Sequence, residues 1–269
     1  MKQLKLLSLV MIFTLFSSHS FAKNQEFPGR DIYLGTDYIE INDFKSQFNN
    51  VIVVDVRSKY EYQTLRIKDA KNVPLNSRSF VKDMRDIRSN NPGKKIVVYC
   101  NGKTCMKSYK AASKCKARGI KNVVAFDAGI MDWAKTFPEK AVLLGKSPID
   151  PSKLIAKSRF KKHLIDPEKF ATMVQDDNVA VLDVRDRFQR MGMGLFIGVE
   201  RQANLDDDSI NKHIKNSVKN KKTMLIYDEA GKQVRWLMYR LEANGVSDYK
   251  FMKGGTRGYF KKLKERMRI

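Results

Sequence analysis

The strongest constraint on what this chain can fold into is that it says the same thing twice. Val51-Ile52-Val53-Val54-Asp55-Val56-Arg57 returns as Val179-Ala180-Val181-Leu182-Asp183-Val184-Arg185, 128 residues later. Ile96-Val97-Val98-Tyr99-Cys100 returns as Met224-Leu225-Ile226-Tyr227-Asp228 at the same offset. Past that point the offset falls to 126, pairing Gly119 with Gly245, Gly129 with Gly255, and Trp133 with Tyr259. Short β-branched runs alternating with helical segments predict parallel sheets covered on both faces. The reading is an α/β chain of two tandem domains, residues 23–145 and 163–269, with a linker over 146–162. The chain has 269 residues, enough for two cores.

Within each half the order of elements is readable. Lys23 to Tyr38 reads as an irregular arm, and Ile39 to Phe44 as a short strand leading into a helix. A polar helix is predicted over about Ser79 to Ser89, then the strand that ends at Cys100, bounded upstream by Asn91-Pro92-Gly93. A helix from about Ser108 to Arg118, stopped by Gly119, and a strand from Asn122 to Phe126 follow. In the second half, Val234, Leu237, Met238 and Leu241 have the spacing of a core-facing helix stripe.

The chemistry points to Cys100-Asn101-Gly102-Lys103-Thr104-Cys105-Met106-Lys107-Ser108. A cysteine at the carboxyl end of a buried strand, followed by a tight loop and a helix N-terminus, meets converging amide N–H groups. Such a field lowers a thiol's pKa, and the thiolate is the nucleophile. Lys103 and Lys107 add positive charge for an anionic substrate. Cys115, on the apolar face of the next helix, reads as a core residue.

Other features bound the setting. Met1 to Lys5 is basic, Leu6 to Phe16 is apolar, and Ser20-Phe21-Ala22 has the small-x-small pattern of a cleavage site. Residues 1–22 therefore read as a signal peptide and the remainder as a periplasmic protein with no integral membrane segment after cleavage. The formal net charge is +23, with the lysines spread along the whole chain. For an exported protein that reads as a solvated basic surface, with no nucleic-acid partner. Three cysteines within one short stretch are not a disulfide framework, although a Cys-x4-Cys pair in an oxidising compartment is a candidate disulfide. Asp206-Asp207-Asp208 reads as a solvated loop or helix start, His163 and His213 as surface residues, and no cluster has metal-ligand spacing. Phe260, Leu263 and Met267 read as the packed stripe of a terminal helix.

Taken in order, these residues resemble the rhodanese family of sulfurtransferases. In the first half the resemblance rests on Asp55-Val56-Arg57, Glu61-Tyr62, Ile67 to Pro74, Val98-Tyr99-Cys100, Ser108 with Ala111-Ala112, and Ala128 to Trp133. In the second half Asp183-Val184-Arg185 and Lys253-Gly254-Gly255 with Tyr259 carry it. The resemblance implies two rhodanese-like domains, with Cys100 as the sulfur acceptor and a degenerate second copy bearing Asp228. The loop from Asn101 to Lys107 would hold a small anionic sulfur donor such as thiosulfate, and a thiol or a protein would accept the sulfur. Asp55 and Arg57 would support the loop, and neither metal nor organic cofactor is implied. The loop departs from the family's pattern: Gly102 stands two residues after Cys100, where the family has its glycine at three, and Cys105 stands where an arginine is common. Met106 fills the arginine position of C-x5-R phosphatases, which argues against phosphate chemistry. Two other readings stay open: a thiol–disulfide oxidoreductase or isomerase using Cys100 and Cys105, and a non-catalytic sulfur carrier or binding module.

Overall fold

The computed structural model describes residues 26–186, 189–190, 194–205 and 207–267. The signal-peptide expectation for residues 1–22, and Asp206, lie outside the described residues. The strands are β1 (Ile52–Asp55), β2 (Leu65–Ile67), β3 (Lys71–Asn72), β4 (Ile96–Tyr99), β5 (Val123–Phe126), β6 (Ala141–Leu143), β7 (Leu164–Ile165), β8 (Val179–Asp183), β9 (Arg201–Gln202), β10 (Thr223–Tyr227) and β11 (Tyr249–Met252). The α-helices are α1 (Pro28–Ile32), α2 (Ile41–Gln47), α3 (Lys59–Thr64), α4 (Phe80–Asn90), α5 (Lys107–Ala117), α6 (Gly129–Thr136), α7 (Lys157–Lys161), α8 (Pro167–Met173), α9 (Asp207–Lys219), α10 (Val234–Ala243) and α11 (Gly255–Arg266).

Two parallel sheets form, in the orders β3-β1-β4-β5 and β7-β11-β10-β8-β9, and β2 pairs antiparallel with β6. The α/β class with parallel sheets flanked by helices is as expected. Val54 lies beside Val98 in one sheet and Leu182 beside Ile226 in the other, the same register in both halves. Every residue of β4 is buried, as a strand covered on both faces requires. Its carboxyl end opens toward α5, so Cys100 sits where ligands reach parallel sheets.

One aromatic cluster fixes what lies over that end. Trp133 of α6 packs on Phe44, Phe48, Phe126 and Phe137, with centroid separations of 4.4, 5.4, 5.8 and 4.9 Å. This locks α6, and with it Gly129, against the Cys100 loop. Gly129 has φ +67°, and a Cβ there would lie 2.4 Å from the Gly102 amide nitrogen, so only glycine fits. Gly255 has the corresponding place in the second half, with φ +59° and a hypothetical Cβ 2.2 Å from the Asp228 carbonyl oxygen.

Four local expectations are corrected. Ile39 to Ile41 is not a strand: a single bridge joins Tyr38 to Ala125, and α2 begins at Ile41. The arm contains α1, pressed against α5 through Gly29, whose backbone meets the Tyr109 ring. Residues 146–162, read only as a linker, contain α7 and bury Ile155 and Phe160. Finally, Phe260, Leu263 and Met267 do not form a packed stripe; they remain 49, 42 and 78 % exposed, with Leu263 at the edge of the groove between α11 and α8.

Candidate active site

The site grows from a buried ion pair. Arg57 and Asp55 are completely buried, and the guanidinium grips the carboxylate through Nε at 2.9 Å and Nη2 at 2.6 Å. Nη2 also donates to the Leu65 carbonyl, and Nη1 donates to Asn101 Oδ1 at 3.2 Å. Such a pair holds its shape because breaking it strands a charge in the interior. The other end of the Asn101 amide donates from Nδ2 to Glu61 Oε1 at 2.9 Å. Glu61 is buried at the first turn of α3, in a reciprocal capping box with Ser58. Burial alone would raise its pKa, but Arg57, Lys107 and the Asn101 amide outweigh that and hold its carboxyl below the usual range. Asp55 and Arg57 thus hold Asn101 at the start of the loop. Ser58 and Glu61 join them, and the S-x-x-E spacing was the signal available in the sequence.

The two loop cysteines divide the work differently from the expectation. Cys100 Sγ is fully buried, 3.0 Å from the Cys105 carbonyl oxygen and 3.7 Å from Ser108 Oγ. Burial, with the neighbouring Cys105 thiol, pushes its pKa well up, so the activation expected of Cys100 is reversed. The physical reason is that Cys100, one residue past β4, turns its side chain into the apolar layer of Val54, Val56 and Ala111. Cys105 is half-buried. The Cys100 side chain lies beside its sulfur, the amide N–H groups of Lys107 and Asn101 face it, and the Lys107 ammonium adds charge. Together these outweigh burial and lower the Cys105 pKa to about 6. Neither cysteine is in a disulfide. Cys115 is buried in the core, as expected, and burial raises its thiol to about 11.

The remaining loop residues separate. Gly102, at φ +146°, carries the chain close under the Ala128 carbonyl, and its own carbonyl accepts from the Cys105 amide at 2.7 Å. Lys107 starts α5 beside Cys105. Lys103 is turned away from the thiols: it pairs with Glu26, lies 3.5 Å from Asp132, and sits over the Phe27 ring. Its expected role as an anion holder is corrected on that ground, since arm and α6 carboxylates already neutralise it. Thr104 is exposed and Met106 packs its sulfur toward Gly29 of the arm.

In the second half, Asp183 and Arg185 repeat the buried ion pair, at 2.7 Å. The Asp228 carboxylate accepts from the amides of Ala230 at 3.0 Å, Gly231, Gln233 at 2.5 Å and Val234 at 3.2 Å. The cradle that would hold an external anion holds a side chain instead. No described group of His, Cys, Asp and Glu residues could hold a metal ion. No helix among the described residues is long and apolar enough to cross a membrane.

Against known proteins, the rhodanese-like domain family matches residues 40–136. The chain is 31 % identical over 99 residues to a tRNA uridine(34) hydroxylase of Cytophaga hutchinsonii, covering 36 % of this chain and 31 % of that protein. It is 24 % identical over 147 residues to the tRNA uridine(34) hydroxylase of Photorhabdus laumondii, covering 54 % of this chain and 38 % of that one. The matched stretch therefore spans about a third of these relatives' length. The thiosulfate sulfurtransferase of Pseudomonas aeruginosa superposes with a TM-score of 0.31 at 12 % identity, over 85 % of this chain and 66 % of that one.

Proposed function

From the premise that residues 40–136 are a rhodanese-like domain, we propose that this protein is a sulfurtransferase working through a persulfide on the Cys100–Cys105 loop. The observation that carries the reading is the half-buried Cys105 sulfur, faced by two amide N–H groups and by the Cys100 thiol. The Cys105 thiolate attacks the outer sulfur of thiosulfate or of a persulfide donor. A new S–S bond forms, the donor's S–S bond breaks, and sulfite or a thiolate leaves with the bonding pair. A thiol, a protein thiol or cyanide then attacks the outer sulfur, and Cys105 departs as the thiolate. This is two-step covalent catalysis, in which a thiolate poised near neutral pH serves both as nucleophile and as leaving group. Cys100, kept protonated by burial, donates to the Cys105 carbonyl and so holds the loop around the Cys105 sulfur in both steps. The signal-like residues 1–22 support placing this activity in the periplasm, and the second half is read as a degenerate rhodanese-like copy.

The test is intact mass after thiosulfate or persulfide treatment. Wild type gains the mass of one sulfur and loses it to cyanide, Cys105→Ser gains none, and Cys100→Ser still loads, more slowly at neutral pH. Failure of the wild type to take up sulfur would overturn the proposal. Loading of Cys105→Ser but not of Cys100→Ser would return the nucleophile to Cys100.

One observation favours a second reading. Because the two sulfurs face each other, the loop also fits dithiol–disulfide exchange, in which both thiols are oxidised as a partner disulfide is reduced. Turnover on a disulfide substrate that requires both cysteines would identify it, and single loading without turnover would identify a carrier.

A further inference from the structure

Gln233 joins the second half of the chain to the network that braces the cysteine loop. Gln233, at the head of α10, accepts from Ser58 Oγ with its Oε1 at 3.1 Å and donates to Glu61 Oε2 from its Nε2 at 3.4 Å. The other oxygen of Glu61 accepts from Asn101, whose amide oxygen is taken by Arg57. The backbone N–H of that same Asn101 faces the Cys105 sulfur. On its own side, the Gln233 backbone donates to Asp228, inside the filled cradle. Trp236 of the same helix lies 5.0 Å from the Arg57 guanidinium, so α10 is seated firmly on this network. One hydrogen-bonded path therefore runs from the Asp228 carboxylate, through Gln233, Glu61 and Asn101, to the thiol pair.

We propose that Gln233, anchored by Asp228, is a positioning residue: through it the second half sets the orientation of the cysteine loop in the first. The residue type suits the task. A neutral amide both accepts from Ser58 and donates to the buried Glu61 carboxylate, whereas a carboxylate at 233 would repel Glu61. The occupied cradle suits it too, because a fixed internal anion holds the Gln233 backbone without depending on a ligand. The consequence for turnover rests on the persulfide reading above; the consequence for the thiol does not.

The test uses the full chain and reads the pH dependence of iodoacetamide alkylation at Cys105, by peptide mass. The charged and titratable groups bearing on that sulfur are Cys100, Lys107 and, one contact further, Glu61 and Arg57. Gln233→Ala should raise the midpoint by roughly half to one pH unit, as the Asn101 amide slackens. Gln233→Glu should raise it further. Sulfur transfer should lose five- to tenfold in kcat with KM for thiosulfate nearly unchanged, because Gln233 touches no donor. Tyr239→Phe removes a different contact of α10, the 2.9 Å hydrogen bond from the Ile155 amide, and should leave the midpoint in place. Gln233→Met keeps the bulk without the hydrogen bonds, and stands in if the alanine variant does not fold. An unmoved midpoint in a folded Gln233 variant, or an equal shift in Tyr239→Phe, overturns the proposal. A wild type that takes up no sulfur overturns the functional reading alone, since the alkylation midpoint is measured without any sulfur donor.

Discussion

Cys100 and Asp228 each stand one residue past a central parallel strand, β4 or β10, and each is followed by a tight loop and a helix. The first half meets its amide groups with a second cysteine from further along the loop; the second half meets them with the strand-end side chain itself. A carboxylate carries its own charge, so four amides close round Asp228, and the site is complete without a ligand. A thiol carries charge only after losing a proton. In the first half that burden falls on Cys105, which the amides reach, rather than on Cys100, which the core hides. The lesson is that the same backbone field can fix a structure or ready a nucleophile, depending on whether the group inside it is a carboxylate or a thiol.

The comparison can be broken or sharpened by experiment. The largest effect expected is in thiol reactivity. With Cys105 near 6 and Cys115 near 11, the thiolate fraction at neutral pH differs on the order of ten-thousandfold. Peptide mapping after brief alkylation at neutral pH should find label on Cys105 and essentially none on Cys115, and the Cys105 rate should fall as pH drops through about 6. Equal labelling would mean the field is not where we place it.

Next come the buried ion pairs. Arg57→Ala and Arg185→Ala each leave a buried aspartate unpaired, a change that costs about 3–5 kcal/mol. Urea unfolding should show the greater loss for Arg57, which is fully buried and also holds Asn101 and the Leu65 carbonyl. A larger loss at Arg185 would reverse our ranking of the halves.

Smaller effects follow from the two glycines. Gly129→Ala and Gly255→Ala both force an alanine into the left-handed region, a strain of about 1–2 kcal/mol before any clash. Only Gly129→Ala should also end sulfur loading, because its Cβ would push on Gly102 of the cysteine loop. Thermal melts paired with the loading assay separate the two outcomes. A stability change of comparable size is expected for Asp228→Ala, about 1–3 kcal/mol from amides left without an acceptor. Added sulfate should restore part of that loss while leaving wild type unaffected, as differential scanning fluorimetry would report.

Much of the architecture was legible in the chain because it is written in local patterns. β-branched runs at Val51 and Ile96, glycine stops at Gly119 and Gly245, and apolar stripes such as Val234-Leu237-Met238-Leu241 each specify an element from its own residues. Of the supports around the site, Asp55 and Arg57 could be read, and the Ser58–Glu61 box was there to be read. What was not legible involves partners distant in sequence. Lys103 looks like a ligand for an anion until Glu26 and Asp132 are folded against it. Gln233 looks like a helix-start residue until α10 is laid on α3.

By itself, then, the sequence determined the sheets, the order of their elements and the loop on which the chemistry would fall, since strand, turn and helix preferences act over a few residues. Only the tertiary structure decided which sulfur of that loop is enclosed and which meets its amides. That choice depends on desolvation and on the direction of amide dipoles, which exist only once β4, α5 and α6 are packed together and Cys100 has been enclosed between them.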